Sequence, residues 1–439
     1  MPFNCETCGK EFTKNAGLGK HKARKIPCKA PAALIQNVLE QAGVTHEPVS
    51  EFRETSKKFN KSLSKDDRAD QGIYFTPKKA RDYLFKVLSD LSVKPKTILE
   101  PSFGTGEFLL DAKQKFPESE ILGVEKHPDL FASVKCEGAK LSNCDFLAWT
   151  GSADLIIGNP PYFVLKSAEP KFAACMTGRA NIYVMFLYKC LHEHLLADGY
   201  LAFIIPTSIY NCSYYQPMRN YIVANTTIHH LETLDKPGFF QTGQETTLIV
   251  LQKKKSHSNF VFRPVNGLTY ISPYYKELGE LVQNTSTLGN LGLGVKTGNV
   301  VWNQVKENLS DTPGTLLVYS SNILNNELVI NNLNGTTRKQ YVTGITKPTI
   351  RGPVILVERG YGNSLQFNTT LVLTNTEFYA ENHVNVIYPK AVSADTEATL
   401  RRVIASLQDA RTKQFVKWFS ANGMLSASEL VDLIPIFPA

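Results

Sequence analysis

Between residues 71 and 252 short apolar runs alternate with longer amphipathic stretches. The runs are Thr97-Ile98-Leu99, Glu120–Val124, Leu155-Ile156-Ile157, Tyr200–Ile205 and Thr246–Gln252. Each is short for a helix and continuously apolar, as strands covered on both faces are. Pro77–Leu91 and Ile182–Leu196 carry apolar residues at helical spacing instead. This alternation predicts an α/β fold with a doubly wound, mostly parallel sheet. Polar residues stand directly after the strands, at Glu100, Glu125 and Asn159. In such sheets the carboxyl ends of the strands carry the ligand site.

The flanks read differently. Ala32–Ala42 predicts a helix, and Lys57–Asp70 reads as a solvated linker or mobile helix. Beyond about residue 260 Gly, Asn and Thr rise, and β-like runs such as Leu316–Tyr319, Val354–Val357, Leu371–Leu373 and Val384–Tyr388 are split by turns. Helical patterns return at Glu397–Asn422 and Ala427–Ile434. The expected organisation is a small Cys-rich unit over residues 1–30 and a linker or helical region over 31–70. The α/β domain then covers 71–260, and a β-rich domain closed by helices covers 261–439.

A chain of 439 residues has room for two ordinary domains and a small appendage. Its 43% hydrophobic and 10% aromatic content suits a globular protein. The net charge of +8 permits a polyanionic partner. No run approaches the roughly 18 apolar residues of a membrane span. Cys, Lys and Glu occupy the N-terminus where a signal peptide needs an apolar core, so an intracellular, non-secreted protein is expected. Cys5, Cys8 and Cys28 cluster, while Cys136, Cys144, Cys175, Cys190 and Cys212 scatter through predicted core. That distribution implies a reducing compartment rather than a disulfide framework.

Leu99–Phe108 follows a strand and opens a helix, with Gly104 and Gly106 free to turn sharply beside a ligand. The first strand ends on Glu100, and the second on Glu125, placed to accept from ribose hydroxyls. Asp145-Phe146 follows in a short loop, where Asp can accept from an adenine amino group and Phe can stack. Three acids at strand ends are costly in a buried sheet unless a ligand satisfies them. No Gly-Lys-Ser/Thr phosphate loop is present, which disfavours a nucleoside triphosphate.

Asn159-Pro160-Pro161-Tyr162 directly follows the third run. Its prolines hold the backbone in one pose. The Asn159 side-chain oxygen and the Pro160 carbonyl offer two acceptors to the N–H groups of an exocyclic amine. Such an amine is a poor nucleophile until its lone pair leaves the ring. Positioning and electrostatics then carry the reaction without a strong base. Tyr162 offers a flat face to a base taken out of its stack.

The order Phe75-Thr76-Pro77, Glu100–Gly106, Glu125, Asp145-Phe146, Asn159–Tyr162 resembles the gamma-class adenine-N6 DNA methyltransferases of the restriction-modification type. The resemblance spans about residues 70–252 in motifs and the C-terminal half in layout. It implies S-adenosylmethionine as cofactor and a flipped adenine in duplex DNA as target. Thr76 and Glu100 would then touch the cofactor's amino-acid moiety, and Ser102 holds the small-residue position of the cofactor loop. Glu125 would bind the ribose and Asp145 the adenine amino group, with Phe146 beside that ring and Pro161 close by. Phe240, with Phe239 as competitor, would be the second aromatic that sandwiches the target base. The family has Asp or Asn before Pro-Pro; the Asn here favours adenine-N6 or glutamine-N5 chemistry, whereas Ser-Pro-Pro is typical of cytosine-N4 enzymes. A monomer is expected, and a separate cognate restriction endonuclease is a candidate partner.

Cys5-x2-Cys8-x3-Phe12-x5-Leu18-x2-His21 matches three ligands and two core positions of a ββα zinc finger. Cys28, seven positions after His21, is the expected fourth ligand of a structural zinc. A peptide this short has too little core to fold without metal. Lys10, Lys14, Lys20, Lys22, Arg24, Lys25 and Lys29 give it a basic face suited to phosphates, with a protein contact as the alternative. The finger-plus-methyltransferase layout is similar to proteins of large DNA viruses of algae or protists, which would place the protein in a host cytoplasm or nucleus.

The β-rich domain takes the place of the family's target recognition domain. Arg351 and Arg359 in its Gly-rich loops are candidates for base or phosphate contacts. The main rival is a methyltransferase of RNA bases or of a protein glutamine, which uses the same tetrapeptide. A non-catalytic DNA-binding protein would not need the acidic series intact. No Pro-Asp…Asp/Glu-x-Lys cluster supports a fused nuclease.

Overall fold

The computed structural model describes residues 3–4, 11–12, 51–62, 72, 74–165, 169–178, 181–234, 245–256, 259–264, 267–330, 333, 338–359, 367–419 and 426–438. The chain divides into two compact units, Met1–Glu51 and Phe52–Ala439. In the first, strands Phe3–Asn4 and Glu11–Phe12 pair antiparallel. Cys5, Cys8, His21 and Cys28, and the helix expected at Ala32–Ala42, lie outside the described residues.

The second unit opens with helix α1 (Glu54–Ser62), followed by α2 (Lys78–Asp90). The α/β elements then run β1 (Thr97–Glu100), α3 (Glu107–Lys115), β2 (Glu120–Glu125), α4 (Pro128–Ser133), β3 (Lys140–Asn143) and β4 (Ala153–Gly158). After these come α5 (Ile182–Lys189), β5 (Leu195–Pro206), α6 (Gln216–Asn225), β6 (Thr227–Leu234) and β7 (Thr246–Gln252). The sheet order is β3-β2-β1-β4-β5-β7-β6. The first five strands run parallel, and β7 is antiparallel to both β5 and β6.

The continuous apolar runs are explained by burial on both faces. Leu99 and Ile156 join a core with Tyr183, Met218 and Ile222 on one side of the sheet. Their neighbours Ile98, Leu155 and Ile157 join a second core with Leu84, Leu88, Phe108 and Leu109 on the other. Successive side chains of a strand point to opposite faces, so both alternating sets must be apolar.

Two strands had no such signature. Lys140–Asn143 and Thr227–Leu234 are the two edges of the sheet and carry Lys, Asn, His and Glu. The helix expected through Leu196 stops at Lys189. Residues Cys190–His194 form a wider turn, and Leu195 already pairs with Ala153 in the sheet.

Of the stretch Lys57–Asp70, expected to be a solvated linker or mobile helix, residues 57–62 are helical and 63–70 lie outside the described residues; the helix starts earlier than expected and is anchored by burial. Glu54–Ser62 is a helix whose Ser56 is fully buried, with Phe52 buried just ahead of it. Phe52, Phe75 and Leu130 form a small core on which Phe59 packs. Phe52, Ser56 and Phe59 recur at helical spacing, a stripe that the surrounding Lys residues hid.

The C-terminal half is β-rich, as expected. Leu293–Thr297, Val384–Pro389, Val354–Glu358 and Thr369–Val372 form a four-stranded antiparallel sheet in that spatial order. A second four-stranded sheet orders Leu309–Ser310, Tyr341–Val342, Thr315–Val318 and Phe378–Ala380. Helices Thr396–Gln408, Ala410–Phe419 and Ala427–Leu433 close the half, and Leu400, Val403, Phe415 and Phe419 pack with Ile355, Val357 and Ile387. The texture change at residue 260 is not a clean boundary. A hairpin of Val261–Phe262 and Tyr270–Ile271 gives Ile271 to the core of the seven-stranded sheet and Phe262 and Tyr270 to the C-terminal core.

Candidate active site

A cavity of about 440 Å³ opens at the carboxyl ends of β1, β2 and β4. The turn after β1 forms its floor. Phe103 N–H donates to the Val124 carbonyl at 3.1 Å, and Gly106 N–H to the Phe103 carbonyl at 2.7 Å. Gly104 and Gly106 have φ of 54° and 76°, the left-handed region where a side chain is strained. A Cβ on Gly106 would also stand 2.9 Å from a methyl of Val134. Gly106 caps α3 from behind the cavity, whereas Gly104 lines it.

Four carboxylate residues line this space; Glu107 belongs to an ion network behind it, and the other three stand in different environments. Glu100 is buried, and among the described residues its Oε2 has no hydrogen-bond partner. Burial, and then the neighbouring Glu125 charge, push its carboxyl well above the usual range. Glu125 accepts from Gly104 N–H at 2.8 Å and from His127 N–H at 2.7 Å. Burial still holds its carboxyl above the usual range, against the pull of those two amides. Asp145 accepts from Leu147 N–H at 2.9 Å and from the Lys126 ammonium at 2.9 Å. Burial raises Asp145, but Lys126 and the Leu147 amide together outweigh it and leave the carboxyl below its ordinary value.

Asn159 ends β4. Its Nδ2 donates to the Tyr74 carbonyl and to Thr76 Oγ1, each at 3.1 Å. On the other side Oδ1 accepts from the Tyr162 hydroxyl, which also lies 2.6 Å from the Ile204 carbonyl. Burial keeps the Tyr162 phenol far above its ordinary value, so the hydroxyl stays a donor. The Tyr162 ring is buried, lying nearly parallel to Tyr74 with centroids 6.3 Å apart and edge-on to Tyr183.

Behind the cavity a buried ion network ties three elements together. Arg81 of α2 donates to Asp111 at 2.7 Å, pairs with Glu107 at 2.9 Å and donates to the Thr76 carbonyl at 2.5 Å. Arg53 pairs with the same two acids. Ser56 of α1 lies 2.7 Å from the Thr105 hydroxyl and donates to Glu107 at 2.6 Å. Helix α1 is thereby pinned to the turn that floors the cavity.

Thr76, Glu100, Ser102, Gly104, Glu125, Asp145, Asn159 and Pro161 therefore line one cavity. Phe146 is placed differently from the ring-stacking position expected of it. It is buried in the core, 4.8 Å from the Phe186 ring, and Phe186 and Ile182 present the apolar wall. Pro160 is buried beside Asn159. Phe240 lies outside the described residues. Arg351 is exposed and paired with Glu377 at 2.6 Å, and Arg359 donates to the Asn382 carbonyl at 3.3 Å. Sequence reasoning missed Lys126, His127, Tyr74 and Arg81. The first two directly follow Glu125 and were readable as part of the same strand-end loop; Arg81 looked like any charge on a helix.

A 3-2-1-4-5-7-6 sheet with its seventh strand reversed, and a ligand cavity at the ends of the first, second and fourth strands, define the class I S-adenosylmethionine-dependent methyltransferase fold. The residues fit that cofactor. Among the described residues Glu100 Oε2 and Ser102 Oγ are buried oxygens in want of a partner, and the cavity has the volume of a small-molecule site.

Residues 99–240 match the model of the Eco57I restriction-modification methylase family. The chain is 32% identical over 400 residues to the modification methylase CviBIII of Paramecium bursaria Chlorella virus NC1A, covering 89% of this chain and 100% of that protein. It is 31% identical to the type II methyltransferase M.CvrRI of Paramecium bursaria Chlorella virus XZ-6E, covering 88% of this chain and 99% of that protein. A tRNA1(Val) (adenine(37)-N6)-methyltransferase of Vibrio cholerae is 28% identical, over 26% of this chain and 52% of its own length. The chain belongs to the type II restriction-modification methyltransferase family.

Proposed function

We propose that the protein transfers a methyl group to the N6 of adenine at a specific site in duplex DNA. The observation that carries this reading is the pose of Asn159. Asn159 lines the acid-lined cavity, both of its amide hydrogens are engaged, and its oxygen is turned the other way, where it accepts from the Tyr162 hydroxyl.

S-adenosylmethionine, when bound, supplies an electrophilic methyl group. The chain's own residues do the rest. Glu100 and Ser102 offer unpaired oxygens to the cofactor's polar groups, Glu125 keeps lone pairs for ribose hydroxyls, and Asp145 remains ionised to accept from an adenine amino group. Asn159 Oδ1 and the Pro160 carbonyl accept the two N–H bonds of the target amine, which draws its lone pair out of the ring. The Tyr162 hydroxyl has a second acceptor in the Ile204 carbonyl, so it can release Asn159 Oδ1 to that amine.

Full-length likeness to viral modification methylases favours DNA as the acceptor, and the short match to a tRNA adenine-N6 enzyme favours the adenine amine. Incubation with labelled cofactor and duplex DNA, then nucleoside analysis by mass spectrometry, tests it. N6-methyladenine is expected. N4-methylcytosine, or label found only in RNA or protein, overturns it.

The N-terminal segment is proposed to hold a structural zinc through Cys5, Cys8, His21 and Cys28. The ligand spacing carries this, and the antiparallel pairing that brackets Cys5 and Cys8 supports it. Metal analysis should find one zinc per chain, lost in the Cys5→Ser Cys8→Ser variant. No bound zinc in the intact chain overturns the assignment.

A further inference from the structure

We propose that Thr76 is a positioning residue whose hydroxyl sets the pose of the Asn159 amide and links it, through Arg81, to the cofactor-side helix α3. This rests on Asn159 being the group that accepts from the target amine.

A backbone carbonyl can only accept. The atom 3.1 Å from the Tyr74 carbonyl is therefore the nitrogen of Asn159, and its oxygen takes the opposite side. One acceptor would still leave the amide free to swing, because the terminal torsion of Asn is broad. The second acceptor, Thr76 Oγ1 at 3.1 Å, removes that freedom.

Thr76 is itself held from three directions. It is 3% exposed. It precedes Pro77, whose ring disfavours the helical region for the residue before it. Its carbonyl accepts from Arg81, which is 2% exposed and anchored on Asp111 and Glu107 of α3. The same helix carries the turn bearing Ser102 and Gly104. Thr76 thus joins the wall of the cofactor cavity to the reacting end by one short, fully packed path.

The test compares Thr76→Val, Thr76→Ala and Thr76→Ser with Asn159→Ala. The readouts are single-turnover methylation of duplex DNA at saturating cofactor, cofactor affinity by calorimetry, and the melting temperature. The two variants lacking the hydroxyl are expected to slow the rate at saturating cofactor at least tenfold, over and above any cost in cofactor affinity. Thr76→Ser should restore the rate to within threefold, which separates the hydroxyl from a packing role. A full rate in Thr76→Val or Thr76→Ala, or a loss confined to cofactor affinity, overturns the proposal. Asn159→Ala with a full rate would instead sink the catalytic reading itself. An inactive Asn159→Ala beside a fully active Thr76→Val would sink only the positioning role.

Discussion

The Lys126 ammonium stands 2.9 Å from Asp145 at the mouth of the cavity. Both side chains are substantially exposed, so the pair adds only about 0–1 kcal/mol to stability. Its effect lies in titration. Lys126 helps hold the Asp145 carboxyl below its ordinary value against the opposing effect of burial. In Lys126→Ala burial acts with less opposition, and Asp145 takes up its proton at a higher pH. Cofactor affinity is expected to match the parent near pH 7.5 and to begin falling at a higher pH on acidification. A calorimetric titration series from pH 4.5 to 7.5 checks this, and superimposable profiles would refute it.

Glu100 titrates the other way. Its folded carboxyl is raised, so the stability it contributes is present below the ordinary carboxylate range and is lost as pH rises through the raised value. Glu100→Gln removes that loss. The cofactor-free variant should melt above the parent at pH 8, with the gap closing toward pH 5. It should also bind the cofactor at least tenfold more weakly at pH 8. Thermal melts with and without cofactor at both pH values decide the matter.

Arg81→Ala leaves, among the described residues, the half-exposed Arg53 as the one cation paired with Glu107 and Asp111, with Ser56 still donating to Glu107. Removing one partner of a buried ion network costs about 3 kcal/mol or more. Urea denaturation should show that loss, and a cost below about 1 kcal/mol would mean that Arg53 replaces Arg81.

Asn159→Asp would place a carboxylate oxygen against the Tyr74 carbonyl, which cannot donate. Thr76 can rotate its hydroxyl to donate, but the Tyr74 contact stays repulsive. The variant is expected to lose at least tenfold in methylation rate and to melt below the parent. Retained activity would show that the amide nitrogen has no structural part.

Much of this was legible in the chain because strands covered on both faces must be apolar throughout. The runs at Thr97-Ile98-Leu99 and Leu155-Ile156-Ile157 could be read for that reason, and the polar residues after them marked the cavity. The edge strands Lys140–Asn143 and Thr227–Leu234 could not, since an edge tolerates His, Glu and Lys. The second half of α1 fell in the stretch read as a linker or mobile helix, but its anchoring stayed hidden because its buried face has Ser56, a polar contact rather than an apolar one. The depth of Phe146 was equally invisible: a residue next to a ligand-facing Asp can point inward, and only the packing against Phe186 reveals it.

The reversal of β7 has one more effect. Thr246 pairs with Pro206 and Leu234 with Thr246, so the end of β6 and the start of β7 both lie beside the carboxyl end of β5. Gly158, the residue before Asn159, pairs with Phe203 only three positions from Pro206. An all-parallel sheet would have started β7 at the far edge instead. Turning one strand around brings the last residue of β6 and the first of β7 to the reactive edge, each fixed there by the rungs of the ladder.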